Sequence, residues 1–288
     1  MIELRTVDVD RLPVVVEALR GWQREDAPIQ LHPGDLGWNW RPGAAALAAS
    51  LRTWEHDGEV VALGYLDSPD VVRMTVAPEH WRDDDHARRV VADLSTPSAG
   101  LLPTGAVAVE VPDGTAVKDR LPVGAWADGD AWAPLRLDLT APLPASSAHV
   151  EVVESDAQVT QCVAVHRSAW ERSRFTEQQW HTMAAGPAFA DARCLLARDD
   201  DGVAVATLTA WSAGPGRPGL IEPLGVHADH RRRGHGVAIC RAAAAHLQAM
   251  GAGSVVVCTP SSLHSAVATY VAAGFERLPD RLDRARSA

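Results

Sequence analysis

The sequence predicts a mixed α/β (α+β) protein built from two tandem copies of one domain, each a mixed sheet flanked by helices. Three observations predict it. The chain has 288 residues, long for one domain and sufficient for two cores. Residues 2–22, IELRTVDVDRLPVVVEALRGW, are matched by residues 150–170, VEVVESDAQVTQCVAVHRSAW; at an offset of 148, Glu3 meets Glu151, Asp8 meets Asp156 and Trp22 meets Trp170. Further on, VRMTVAPEHW (72–81) parallels EPLGVHADHR (222–231), and the 48 positions from Val76 to Gly124 recur from Val226 to Gly274. Landmarks at equal spacing mark an internal repeat. It sets the copies at 1–140 and 149–288, joined by residues 141–148 of TAPLPASSA, a Pro-, Ser- and Ala-rich linker.

Both copies open with a short strand and an amphipathic helix that ends near a tryptophan. In the second copy the strand is VEVVES and the helix DAQVTQCVAVHRSAW, followed by a helical SRFTEQQWHTMA. CLLARDD and VAVATLTAW read as strands joined at DDDG, a hairpin turn. GLIEPLGV is a strand and VAICRAAAAHLQAMG a helix closed by Gly251. SVVVCTP is a strand and SAVATYVAAG a helix closed by Gly274. The order is βααβββαβα around one sheet.

Between the third of those hairpin-linked strands and its helix lies HRRRGHGVAIC (230–240). A helix N-terminus has unpaired N–H groups and partial positive charge, so it binds anions. Gly234 and Gly236 let backbone approach a ligand, and Arg231, Arg232 and Arg233 offer forked donors for phosphate oxygens. With His235, the loop suits a pyrophosphate. It lacks the G-x-G-x-x-G dinucleotide fingerprint and the G-K-[ST] of a P-loop. Taken alone it also reads as a solvated turn ending in a helix cap. His227, Asp229, His230 and His235 match no standard zinc spacing, so no metal is expected.

The R-x-x-G-x-G arrangement after a strand resembles the acetyl-CoA loop of the GNAT superfamily of N-acyltransferases. SAVATYVAAGF (265–275) is similar to that family's A-x-x-x-Y-x-x-x-G-F segment, with Tyr270 in the tyrosine position. Strand 219–226 falls where the family's splayed central strand belongs, and the likeness runs from about residue 150 to 276 in the right order. The resemblance implies transfer of an acetyl group from acetyl-CoA to the primary amine of a small molecule or peptide. It implies main-chain cofactor contacts at Leu224, Gly225 and Val226, where Pro223 and Gly225 already look odd for a strand. The family's Asn before the last helix is replaced by Leu263, with Ser262 as a substitute cofactor contact. Only ERLPDRLDRARSA remains to close the second sheet, so its last strand is either short or supplied from elsewhere.

Glu222, four residues before Val226 among Leu220, Ile221 and Leu224, is the candidate general base; apolar neighbours raise a carboxyl pKa. It also reads as a strand-end carboxylate in water or in an ion pair. Tyr270 is the candidate acid for the departing thiolate, and also reads as an ordinary helix aromatic. In the first copy WRDDDH (81–86) stands where RRRGHG stands in the second, and three aspartates repel phosphate. That copy is expected to be a degenerate domain without acetyl-CoA binding. One degenerate copy before one competent copy resembles the layout of mycothiol synthases. LHPGDLGWNWRPG (31–43) reads either as a wall of the acceptor cleft or as a surface loop over packed tryptophans.

The net charge of −10 argues against nucleic-acid binding, although acidity suits a cationic amine acceptor. Cys162, Cys194, Cys240 and Cys258 have no disulfide or metal spacing and read as reduced thiols. MIELRTVDVD has charges where a signal peptide is apolar, and no run of about 18 apolar residues exists. The expectation is a cytoplasmic protein with no membrane partner, monomer or homodimer. A non-catalytic acyl-CoA-binding scaffold is the rival from another class.

Overall fold

A computed structural model describes residues 2–121, 125–143 and 149–287. Gly124 and residues 144–148 of the linker lie outside the described residues. The first half carries β1 (Ile2–Thr6), α1 (Leu12–Gly21), α2 (Pro33–Trp38), α3 (Ala44–Ser50), β2 (Leu51–His56), β3 (Glu59–Ser68), β4 (Val71–Val76), α4 (Asp84–Ser95), β5 (Val107–Glu110), α5 (Ala116–Arg120) and β6 (Ala127–Asp138). The second carries β7 (His149–Val152), α6 (Asp156–Ala169), α7 (Glu177–Ala184), β8 (Ala192–Arg198), β9 (Ala204–Trp211), β10 (Pro218–Val226), α8 (His235–Ala249), β11 (Ser254–Pro260), α9 (His264–Ala273), β12 (Glu276–Arg277) and β13 (Arg281–Arg286).

Local chemistry explains most boundaries. Ser155 with Gln158 and Thr176 with Gln179 form capping boxes that start α6 and α7. Residues 173–175, expected to be helical, form the loop before the Thr176 cap instead. Gly251 and Gly274 take φ of 85° and 111° and end α8 and α9, as only glycine does without strain.

All strands join one mixed sheet in the order β1-β2-β3-β4-β5-β13-β6-β11-β10-β9-β8-β7, with β12 also on β6. The middle of that order is an exchange. β13, from the end of the chain, lies between β5 and β6 of the first half. β6 in turn pairs with β11 of the second half from Ser254↔Asp138 to Pro260↔Trp132. The second sheet thus gains its flanking strand from elsewhere, and its own last strand completes the first.

Three apolar cores follow. One lies in the first half around Trp54, Met74 and Val109, and one in the second around Leu208, Ile239 and Val255. The third is common to both: Leu12, Leu19 and Leu36 pack with Val159, Met183 and Trp211. Helix α2 is the contact element. A Cβ on Gly34 would fall 2.4 Å from Trp211 Cγ, and one on Gly37 2.4 Å from Trp211 Cζ3. Trp211 is 1% exposed and cannot step aside. Gly37→Val is therefore expected to destabilise the protein by roughly 3 kcal/mol or more, the upper range for overpacking. Urea unfolding measures this, and an unchanged midpoint would mean that α2 is free to lift off Trp211.

Candidate functional site

The sheet opens at one place in the second half. β10 and β11 run parallel and pair only over Pro218–Leu220 with Ser254–Val256. Both strands then continue, β10 to Val226 and β11 to Pro260, without pairing to each other. On its other side β10 keeps its ladder with β9, with an irregularity between Ile221 and Leu224. Glu222 and Pro223 occupy that irregularity, joined by a cis peptide bond. The odd strand residues thus sit at the splay, and the main chain of Leu224, Gly225 and Val226 borders it. A Cβ on Gly225 would lie 2.7 Å from Trp170 Cζ3, so glycine here admits the Trp170 ring against the strand.

Glu222 does not stand alone at the splay. Its carboxyl shares a hydrogen bond with Asp35, the third residue of α2 in the first half. Asp35 Oδ2 accepts from His32 N–H at 2.6 Å, and Oδ1 accepts from Arg73 Nη2 at 2.7 Å. Arg73 Nε donates to Glu110 Oε2 at 3.1 Å, and Glu110 Oε1 pairs with Arg281 of β13 at 2.8 Å. His32 Nε2 is the donor to the Pro218 carbonyl at 3.0 Å, while its Nδ1 accepts from Gly34 N–H. That fixes one neutral tautomer, and burial pushes the ring down to about 4. Trp211 Nε1 donates to the Glu222 carbonyl at 2.6 Å, so α2, Trp211 and Glu222 form one packed unit.

The two carboxyls divide a proton unequally. Burial pushes Glu222 well above the ordinary carboxylate range; the Asp35 charge and hydrogen bond push the same way, against Arg73. For Asp35 burial also opposes the charge, but Arg73, Glu222 and His32 hold its pKa below the usual value. The resting pair is an ionised Asp35 and a protonated Glu222, as two carboxyls in one dry site require. Arg73 keeps its charge despite burial because Asp35 and Glu110 flank it.

The loop of arginines leads into α8. Arg232 takes φ of 60° and Gly234 φ of 87°. No side chain caps α8 at Gly234, so its first N–H groups are open. In the first half, by contrast, Asp83 Oδ1 accepts from Asp85 N–H and His86 N–H at 3.0 Å. The start of α4 is thus filled by the chain's own carboxylate, which adds to the like charge expected of the three aspartates. Arg231 Nη2 donates to the Ala169 carbonyl at the end of α6 at 2.7 Å, which ties the loop to that helix. Arg232 and Arg233 are exposed, with no ion pair among the described residues. Gly236 serves packing: a Cβ there would lie 2.9 Å from Thr269 Cγ2 of α9. His235 is half-buried beside Arg233, in an open hollow of about 660 Å³ shared with Asp199 and Asp200.

Tyr270 is buried on α9 against Phe275, ring centroids 5.6 Å apart. Burial, with Cys240 and Glu222, raises its phenol well above the usual value and keeps it a neutral donor. Ser262 is exposed in the turn before α9, and Leu263 is exposed as that helix's uncapped first flank. Among the described residues no cluster of three or more His, Cys, Asp or Glu could hold a metal, and no helix is long and apolar enough to cross a membrane.

The wall opposite the splay comes from both halves. Trp38, at the end of α2, packs on His166 and Phe175 at 5.4 and 5.3 Å, and His166 stacks on Trp170 at 4.4 Å. The 31–43 segment therefore holds a helix packed between the halves rather than a surface loop. Asp35, Arg73 and Arg41 are the site residues that sequence reasoning missed. The paired glycines of PGDLGW, three apart like facing small residues on a helix, were the available signal for α2.

The model of the acetyltransferase (GNAT) family matches residues 158–275. No curated protein matches the chain. Among solved structures, a GNAT-family acetyltransferase from Colwellia psychrerythraea aligns with a TM-score of 0.63 at 13% identity, covering 99% of this chain and 100% of that one. A GCN5-related N-acetyltransferase from Sphaerobacter thermophilus gives 0.58 at 17%, covering 99% and 95%. A tandem GNAT protein from the clavulanic acid biosynthesis pathway gives 0.57 at 14%, covering 99% and 98%. At such identities the likeness speaks for the fold, and it spans both halves. The mixed, splayed sheet is the GNAT fold, and that fold likeness extends over both halves. The acetyltransferase domain of the GNAT family lies at residues 158–275.

Proposed function

We propose that the second half binds acetyl-CoA and acetylates a primary amine held between the two halves. The observation that carries this reading is the splay of β10 from β11 beside the uncapped start of α8. The chain's residues fit acetyl-CoA there: free main chain at Leu224–Val226 for an extended arm, and open N–H groups with Arg232 and Arg233 for a pyrophosphate. The hollow lined by Arg233, Gly234 and His235 also carries Asp199 and Asp200, a poor seat for an anion, which favours the splay side.

Acetyl-CoA supplies an activated thioester. Main-chain N–H groups of β10 offer a donor to the developing oxyanion. As the amine nitrogen bonds to the carbonyl carbon and the C–S bond breaks, the amine's proton passes to Glu222, directly or through water. Tyr270 gives its proton to the departing sulfur. Glu222 must first be ionised, so turnover rises with pH as its proton leaves. Asp35 and Arg73 from the first half set where that happens, which gives the degenerate copy work beyond support. The acceptor enters along the Trp38, His166 and Trp170 wall.

Calorimetric titration of acetyl-CoA tests the binding half of the proposal. The wild type is expected to bind in the micromolar range, and Arg233→Glu/Gly234→Asp to lose binding by at least 100-fold, from like charge at the loop and a side chain at a positive φ. Equal affinity in both proteins would remove the loop from the site, and no binding to either would overturn the transferase reading and the acyl-CoA-binding scaffold reading together.

A further inference from the structure

We infer that the amine acceptor also carries an anionic group, most simply a carboxylate, and that Arg41 of the first half receives it. This rests on the proposed acetyl transfer, since it names the acceptor class of that same site. Arg41 follows α2 and is only part-exposed. Its guanidinium lies 3.5 Å over the Trp38 ring, with Nε donating to the Trp38 carbonyl at 2.6 Å and Nη2 to Asn39 Oδ1 at 3.2 Å. Those bonds use two of five N–H donors and hold the fork rigid. Among the described residues no carboxylate lies within ion-pair distance of it. Burying a cation without a counter-charge is unfavourable, and burial duly lowers its pKa to about 10.

The charged or titratable groups that interact with it electrostatically are Tyr65, Glu222, Asp67 and His166. Arg41 therefore lies within electrostatic reach of the general base, on the wall that Trp38 shares with His166 and Phe175. Arg73, the other buried arginine of this face, is already paired with Asp35 and Glu110 and is not available. The carboxyl pair suits an amine, and Arg41, within its electrostatic reach, is an unpaired forked cation suited to a carboxylate.

The test compares amino acids with their decarboxylated amines: lysine with cadaverine, ornithine with putrescine, tyrosine with tyramine, and glutamate with 4-aminobutyrate, whose second carboxylate remains. Two readouts are used on the full chain. The first is the melting-temperature shift caused by each compound without acetyl-CoA. The second is KM and kcat for acetyl transfer. At least one carboxylated member is expected to stabilise the wild type more than its decarboxylated partner. Arg41→Gln should raise KM for that compound roughly 10- to 100-fold with kcat nearly unchanged, and Arg41→Lys should recover part of the loss.

Equal use of both members of each pair, with Arg41→Gln altering neither, overturns the inference and leaves acetyl transfer standing. So does an equal loss of kcat on both members, which marks Arg41 as a support for Trp38. Stabilisation by no compound overturns it too. Stabilisation that depends on Arg41 without any acetyl transfer keeps the anion site and removes the proposed reaction.

Discussion

Glu222→Gln is expected to lower the rate of acetyl transfer by roughly 10²- to 10⁴-fold, the range a positioned proton acceptor supplies. Glutamine keeps the shape and the hydrogen bond to Asp35 but cannot take the amine's proton. Acetyl-CoA affinity should hold, because the loop and the β10 main chain are unaltered. The companion variant Asp35→Asn separates this role from simple packing. The wild-type profile should climb with pH as Glu222 ionises, at a pKa well above the ordinary carboxylate value. Burial is the larger cause of that shift and remains in the variant. The Asp35 charge and hydrogen bond both raise the Glu222 pKa, and Arg73 lowers it. Removing the Asp35 charge therefore moves the ascending limb to lower pH. Asparagine Oδ1 can still accept from His32 N–H, so α2 keeps its start. His32 is held neutral and adds no charge near pH 7, while Arg41 and Asp67 are unchanged in both proteins. A limb that stays in place would mean that some other group, or the free amine itself, sets the profile. An unchanged rate in Glu222→Gln would remove Glu222 from the chemistry.

The parts of this molecule that were legible in the sequence are those with local causes. Gly251 and Gly274 mark the ends of helices through their own backbone needs. Pro223 cannot serve a regular ladder, and it sits at the irregularity of β10 against β9; the splay itself was expected from the family resemblance. The aspartates of WRDDDH showed a charge hostile to phosphate, while the capping of α4 by Asp83 came only with the structure. The carboxyl pair was not legible, because Asp35 and Glu222 lie in different halves and no spacing or motif links them. Their meeting depends on Gly34 and Gly37 seating α2 on Trp211, a fit of shape that carries no period. The same holds for Arg73 and Arg281, which look like ordinary strand charges until the sheet order puts Glu110 between them. The strand exchange was half-visible: a shortage of chain after Phe275 showed that something was missing, while RLDRAR gave no sign of which sheet it would join.

That exchange carries the largest expected effect on stability. Expressed alone, residues 149–288 lack β6, so β11 becomes an open edge of Val255, Val256 and Val257. Residues 1–140 alone lack β13, which removes Arg281 from Glu110 and Asp283 from Trp132 Nε1, a bond of 2.8 Å. Breaking a buried ion pair by removing one partner costs about 3–5 kcal/mol, and each half also bares its share of the core around Leu36 and Trp211. Losses of that size approach the whole stability of an ordinary domain, about 5–15 kcal/mol. Each fragment is therefore expected to be insoluble or to lack a cooperative melt, because exposed strand edges pair with other chains. Co-expressed, the two should form a soluble 1:1 complex that melts in one transition, since β6 and β13 can still cross over. The milder Arg281→Met, which keeps β13, should lower stability by roughly 2–4 kcal/mol in urea unfolding. Two fragments that each fold and melt cooperatively on their own would show that the halves are separate units whose strands merely meet.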